Sequence, residues 1–242
     1  MPWKSWNSLF AKTATGKTRN NCSLLKKLSN RSFCSQNKEN GFLLLRQIKK
    51  NKMARKHWKP GTMIYPLPAV MVSCGHTPEE HNIITIAWTG TINSDPPMCY
   101  ISVRPERHSY EIIKRTGDFV INLTTEKLAK ATDWNGCRSG NKFNKWEEMN
   151  LTPAAAKIVK SPIIEESPVN IECVVKNIIE LGTHQMFIAN VVNVSVDDKY
   201  IDKNGAFRFA DAKPLVYSHG HYFGMGEKIG KFGWSVEKKK KK

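Results

Sequence analysis

The chain has 242 residues, 40% of them apolar, with seven Trp and ten Phe, enough for a sizeable core in one large domain or two small ones. Its formal charge of +17 sits at the ends: residues 1–52 hold twelve Lys/Arg against one acid, Lys238–Lys242 add five, and the remainder keeps +1, poor footing for nucleic-acid binding. No apolar run approaches the roughly 18 residues of a membrane span, and the six scattered cysteines form no C-x-x-C or zinc-type pairing, which fits a reducing cytoplasm.

Residues 1–52 are rich in Ser, Asn and Lys and lack periodicity. They read as a disordered extension, or as a stretch translated ahead of a start at Met53. The alternative is an organelle-import segment, because transit peptides are basic, Ser-bearing and acid-poor. The folded domain is expected over residues 53–237, with a lysine tail at 238–242.

Pro66 and Pro68 lead into a short buried strand, Ala69–Cys74. After a polar loop, Ile83–Trp88 reads as a second strand, Thr91–Pro97 as a turn, and Met98–Val103 as a third strand apolar on both faces. Helical spacing begins at His108 and Gly117 stops it at Thr116. Asp118–Leu123 is a fourth strand and Thr125–Ala131 a helix. The stretch Asp133–Trp146 reads as a polar loop, and helical character returns over Glu147–Val159, broken by Pro153. Two long strands, Val169–Ile179 and His184–Val196, flank a hairpin at Leu181-Gly182. Strand dominance with short intervening helices favours a mainly β, barrel-like domain over a doubly wound sheet.

Arg104, Arg107 and Ser109 follow a buried strand and open a helix. R-x-x-R pairs are usually just solvated, but here the hydroxyl and the first free N–H groups of the helix can converge on one anion. Asn82 and Trp88 fall at even spacing and are expected on one strand face, with Thr85, Ala87 and Thr89 on the other. Arg138, Lys142 and Lys145 lie in the glycine-containing loop, and His184 opens a strand. His219 and His221 lack further ligands at zinc spacing, so no metal site is expected. The glycines Gly224, Gly226 and Gly230 have no βαβ unit around them to make a dinucleotide fingerprint. No hydrolytic triad, nucleophile elbow or carboxylate pair is present, so chemistry would need a bound cofactor.

The order N-x-x-T-x-A-W (Asn82, Thr85, Ala87, Trp88), D-P-P-M (Asp95–Met98) and I-S-V-R-P-E-R-x-S-Y (Ile101–Tyr110) resembles the flavin reductase-like, FMN-binding split-barrel family, which includes the flavoredoxins. The resemblance continues through G-D-F-V-I-N-L (Gly117–Leu123), D-W-x-G-x-x-S-G (Asp133–Gly140), G-T-H (Gly182–His184) and H-Y-F-G-M-G-E-K-I-G (His221–Gly230). It implies a split β-barrel with short flanking helices that binds FMN non-covalently at a homodimer interface. It also implies a flavin-dependent oxidoreductase, with NAD(P)H or an electron-transfer protein as donor, or else a non-catalytic FMN-binding electron carrier. Residues matching Asn82, Thr85, Ala87 and Trp88 lie along the flavin in such proteins, and the adjacent Thr89 is expected at the same site. Ser102, Arg104, Arg107, Ser109 and Tyr110 match positions near the phosphate or the edge of the site, and Tyr222 and Phe223 fall in the closing block. A family D-K-F lysine corresponds to Lys145 or Lys142, and His184 matches the histidine of G-T-H. A cation such as Lys145 or His184 beside the ring would favour the anionic reduced flavin and raise its potential.

Overall fold

The computed structural model describes residues 55–237. The expectations for residues 1–52 and for the Lys238–Lys242 run lie outside the described residues. The chain divides into a unit ending at Pro60, of which residues 55–60 are exposed and irregular, and a compact unit, Gly61–Lys242.

The elements of the compact unit, in chain order, are β1 (Leu67–Pro68), β2 (Val70–Cys74), β3 (Asn82–Ile86), β4 (Thr89–Ser94) and β5 (Pro97–Val103). Next come α1 (His108–Thr116), β6 (Asp118–Leu123), α2 (Ala129–Cys137), α3 (Lys145–Glu148), β7 (Pro153–Ala154) and β8 (Ile163–Ile164). The long strands β9 (Val169–Glu180) and β10 (Gln185–Val196) precede β11 (Leu215–Ser218) and β12 (His221–Gly224).

Seven strands form an antiparallel sheet in the order β3-β2-β6-β9-β10-β5-β4. Its two edge strands, β3 and β4, are consecutive in the chain and joined by the corner Ala87-Trp88. The sheet therefore curls until its edges meet at that corner, where the Ser102 N–H donates to the Trp88 carbonyl at 2.9 Å. The fold is mainly β, a split barrel with short flanking helices.

Strand alternation feeds two cores. Val70, Val72 and Cys74 of β2 join Ile84, Ile101, Phe119, Cys173 and Phe187 inside the barrel, where Tyr110, Ile112 and Ile113 of α1 also pack. Met71 points the other way, into a cluster with Ile83, Leu128, Ala131, Trp146 and Leu151 under α2 and α3. Both faces of β2 are thus buried. Helix α1 has the expected bounds, and Gly117 ends it at φ 75°, a left-handed position that glycine takes without strain.

Four expectations are corrected. The strand expected to run to Trp88 stops at Ile86, so Trp88 lies on the corner and shares no strand face with Asn82. The segment expected as a turn from Thr91 is instead strand β4, and the turn narrows to Asp95-Pro96. Helix α2 continues to Cys137 through the first part of the expected loop, because Leu128, Ala131 and Asn135 recur at helical spacing and are all buried. Past Lys145–Glu148 the chain is not helical: Pro153 enters the small β7–β8 pair, and the segment before Val159 is held by the Glu172 carboxylate. The apolar spacing there serves packing along an irregular segment, which periodicity cannot distinguish from a helix.

Candidate functional site

The barrel's corner opens two joined cavities. The larger, about 370 Å³, is lined by Thr85, Ala87 and Trp88 from the end of β3 and the corner, by Ser102 and Arg104, and by His184. Gly136 and Cys137 of α2, with Tyr217 and Tyr222, also line it. The smaller, about 120 Å³, is lined by Asn82, Ser109, Asn135, Arg138, Gly140 and Lys145. Ile84, Gly136 and Arg107 line both, so Arg107 stands at the junction.

Strand β3 lies at the sheet edge and pairs only with β2. Its outward carbonyl at Ile83 accepts a hydrogen bond from the Lys145 Nζ at 2.7 Å. Alternation places the N–H and C=O of Thr85 on that same open edge, facing the larger cavity. An edge strand thus supplies backbone donors and acceptors to a ligand without breaking the sheet.

The smaller cavity is polar and cationic. Asn82 Nδ2 donates to Ser109 Oγ at 2.8 Å, tying β3 to the start of α1. Helix α1 begins at Arg107 with no side-chain cap, leaving its first amides to find partners at the cavity. Lys145 is buried and donates to the Ile83 carbonyl and, at 2.8 Å, to the Asn135 carbonyl. Burial first, and then the neighbouring Arg107 charge, push the Lys145 pKa down to about 8. Asn144 caps α3 by accepting from the Trp146 N–H, which fixes the helix that carries the lysine. Asn135 Oδ1 is the one buried side-chain N or O atom among the described residues with no hydrogen-bond partner. Leaving such an atom unpaired costs about 1–3 kcal/mol.

Trp88 and His184 stack in parallel at the larger cavity, ring centroids 6.2 Å apart at 6°. The His184 Nδ1 lies 3.0 Å from the Thr183 hydroxyl. Burial, and then Arg104, hold the His184 pKa below its ordinary 6.5.

Of the expected residues, Thr85, Ala87, Trp88, Ser102, Arg104, Arg107, His184 and Tyr222 come together at the larger cavity. Asn82, Ser109 and Lys145 meet Arg107 at the smaller one. Lys145, not Lys142, lines that pocket; Lys142 lines a neighbouring depression that shares Asn82, His108 and Gly140 with it. Three residues stand apart. Thr89 is buried with its hydroxyl on the Tyr100 carbonyl at 2.7 Å. Tyr110 is in the barrel core, against Phe187 and hydrogen-bonded to Gln185. Phe223 is exposed on the opposite face of β12 from Tyr222.

Sequence reasoning assigned no site role to Asp133, Gly136, Cys137, Arg138, Ser139, Gly140 or Tyr217. Two glycines carried the signal. A Cβ on Gly140 would fall 2.2 Å from Asn82 Oδ1, and one on Gly136 would fall 3.3 Å from the Thr85 Cβ. The glycines mark where α2 and the loop after it lie directly on β3.

A mainly antiparallel sheet that closes at a corner, with a ring-sized slot and a cationic pocket at the seam, defines a split-barrel protein of the flavin reductase type. The chain belongs to the flavin reductase like domain family, which residues 62–226 match. Similar solved structures include flavoredoxin of Desulfovibrio vulgaris (Miyazaki F), 26% identical with a TM-score of 0.71, the match covering 76% of this chain and 100% of that one. Flavoredoxin from Methanosarcina acetivorans is 25% identical with a TM-score of 0.67, at 76% and 100% coverage. A protein of Archaeoglobus fulgidus is 32% identical over 139 residues, 57% of this chain and 77% of that one. No helix among the described residues is long and apolar enough to cross a membrane.

Proposed function

We propose that the joined cavities bind FMN and that the protein is an FMN-dependent oxidoreductase. The observation that carries this reading is the junction at Arg107, where an aromatic-walled slot meets a cationic pocket. Together the cavities reach the size of ordinary small-molecule sites, roughly 300–1,000 Å³.

The residues fit the group. The uncapped start of α1, Arg107 and the Lys145 ammonium suit a phosphate. Trp88, Ala87 and the open edge of β3 at Thr85 suit a flat ring with a polar rim. Bound FMN would supply reversible two-electron chemistry. The chain's own work is to hold the phosphate, to align the ring along β3, and to present His184 as a hydrogen-bonding wall. NAD(P)H or a reduced protein is the donor in this reading.

A homodimer belongs to the same proposal. Strands β9 and β10 expose Val174, Ile179, Val192 and Val194, apolar area that a second copy would cover.

The test is FMN retention by the purified chain, followed by anaerobic oxidation of NAD(P)H. Arg107→Ala should weaken FMN binding by about tenfold or more, since a charge-assisted hydrogen bond contributes about 1.5–3 kcal/mol. Unchanged affinity would move the phosphate elsewhere. FMN retention without nicotinamide consumption would leave the chain an electron carrier.

A further inference from the structure

Past Gly224 the chain leaves the β11–β12 hairpin and runs exposed to Glu237, apart from a half-buried Gly233. Its end is nonetheless shaped by its own contacts. The Trp234 N–H donates to the Lys231 carbonyl at 3.1 Å and the Val236 N–H to the Gly233 carbonyl at 3.2 Å. Gly233 sits at φ 83°, a left-handed position that suits glycine. Lys231 Nζ lies 2.6 Å from the Glu237 carboxylate, and a Cβ on Gly230 would fall 2.7 Å from the Trp234 Nε1. This hook buries none of its large apolar side chains: Ile229 is 92% exposed, Phe232 91%, Val236 81% and Trp234 57%. A turn that holds apolar side chains in water is unfavourable until another surface covers them.

We propose that the hook docks on the surface of an anionic lipid bilayer, its apolar side chains entering the headgroup boundary and its lysines lying over acidic headgroups. Two observations choose lipid over protein. Lysines are interleaved with the apolar residues and follow them, so that residues 225–242 hold seven lysines against two glutamates. Lysine is depleted at protein interfaces, whereas lysine beside exposed aromatic and aliphatic residues is the composition of a membrane-surface element. Residues 53–237 sum to +1, so a second copy has no acidic excess to match the Lys238–Lys242 run, and an anionic leaflet does. The hook lies on a membrane without crossing it, in keeping with the absence of a long apolar helix among the described residues. No residue past Tyr222 lines either joined cavity, so this inference stands apart from the flavin reading.

The full chain is sedimented with vesicles of phosphatidylcholine carrying about one third phosphatidylserine, and with vesicles of phosphatidylcholine alone. The anionic vesicles should carry the chain down, and high salt should release it. Phosphatidylcholine alone should bind about a hundredfold more weakly, since each lysine near an anionic surface contributes about fivefold. Residues 1–52 are basic too, so two variants assign the binding to the hook. Glutamine in place of each of Lys238–Lys242 should weaken binding to the anionic vesicles by about tenfold or more. Ile229→Ser with Trp234→Ser should weaken it by about tenfold or more while leaving the denaturant midpoint in place, because both side chains are exposed. Equal sedimentation with the two kinds of vesicle, or unchanged binding in either variant, would overturn the proposal. If the serine pair instead converts a dimer to a monomer in sedimentation velocity and leaves vesicle binding as it was, the hook belongs to a second copy of the chain and the lipid assignment falls.

Discussion

Glu172 and Lys145 are both buried charges packed against the seven-stranded sheet, and the fold treats them in opposite ways. The Glu172 carboxylate accepts from the backbone N–H groups of Lys157, Ile158 and Val159, at 3.0, 2.6 and 3.0 Å, and from Asn193 at 2.7 Å. Beside it, Asn122 donates to Met71 and Ser73 and accepts from Ile164 and Asn170. Every member of this group finds a partner within the chain. Around Lys145 the accounting is incomplete: Asn135 Oδ1 is unpaired, the start of α1 has no side-chain cap, and burial depresses the ammonium. A finished polar cluster staples an irregular segment to the sheet. An unfinished one keeps binding capacity that a ligand can use.

The largest expected effect breaks the finished side. Glu172→Leu removes the acceptor from three backbone donors and an amide, and should cost about 3–5 kcal/mol of stability in denaturant titration. A loss below about 1 kcal/mol would show that the staple is not what holds residues 157–159. Burial pushes the Glu172 pKa up, but the bonds from Asn193 and the three N–H groups outweigh it and hold it below the ordinary 4.5. Its contribution is therefore complete above pH 4.5 and lost as pH falls through the lower folded value.

The next effect tests the unfinished side. Gly140→Ala drives a Cβ to 2.2 Å from Asn82 Oδ1 and forces the amide off Ser109, so FMN affinity should fall by about tenfold to thirtyfold. Calorimetric titration against the unmodified chain measures it, and an affinity unchanged within twofold would remove Asn82 and Ser109 from the phosphate pocket.

A pH series then sharpens the contrast. A bound dianion favours the charged form of Lys145, so binding takes up a proton above pH 8. FMN affinity should fall by up to about tenfold per pH unit above that value, and Lys145→Met should flatten the profile. Stability of the FMN-free chain runs the other way. The folded pKa of about 8 lies below the ordinary 10.5, so the unfolded chain binds more protons between them and stability rises with pH across that window. An identical affinity profile in Lys145→Met would separate this lysine from the ligand.

The smallest effect is at Arg104 and Glu106, an exposed pair at 3.3 Å. Glu106→Gln should change stability by no more than about 0.5 kcal/mol, measured in the same denaturant titration.

Most strands were legible because alternation and apolar runs are local. Helix α1 was legible to the residue, since its spacing is regular and Gly117 ends it. Helix α2 was not, because its buried face includes Asn135, whose burial depends on β2 and α3 rather than on its neighbours. The corner at Ala87-Trp88 was missed for a related reason: Trp88 and Thr89 continue the pattern of a strand, and only closure of the barrel breaks it there.

The sequence by itself determined a mainly β chain, the Arg107 and Ser109 pair at a helix start, and the ordered motifs that name the family, all of them carried by local spacing. Tertiary structure decided the rest. Folding α2 onto β3 through Gly136 and Gly140 created the pocket, sent Lys145 to two backbone carbonyls, and left Tyr110 in the core. It also brought Tyr217 and Tyr222, more than 80 positions beyond Asp133, to line the same cavity as that residue. Such contacts arise only when the sheet curls and its edges meet, because no local preference relates residues so distant along the chain.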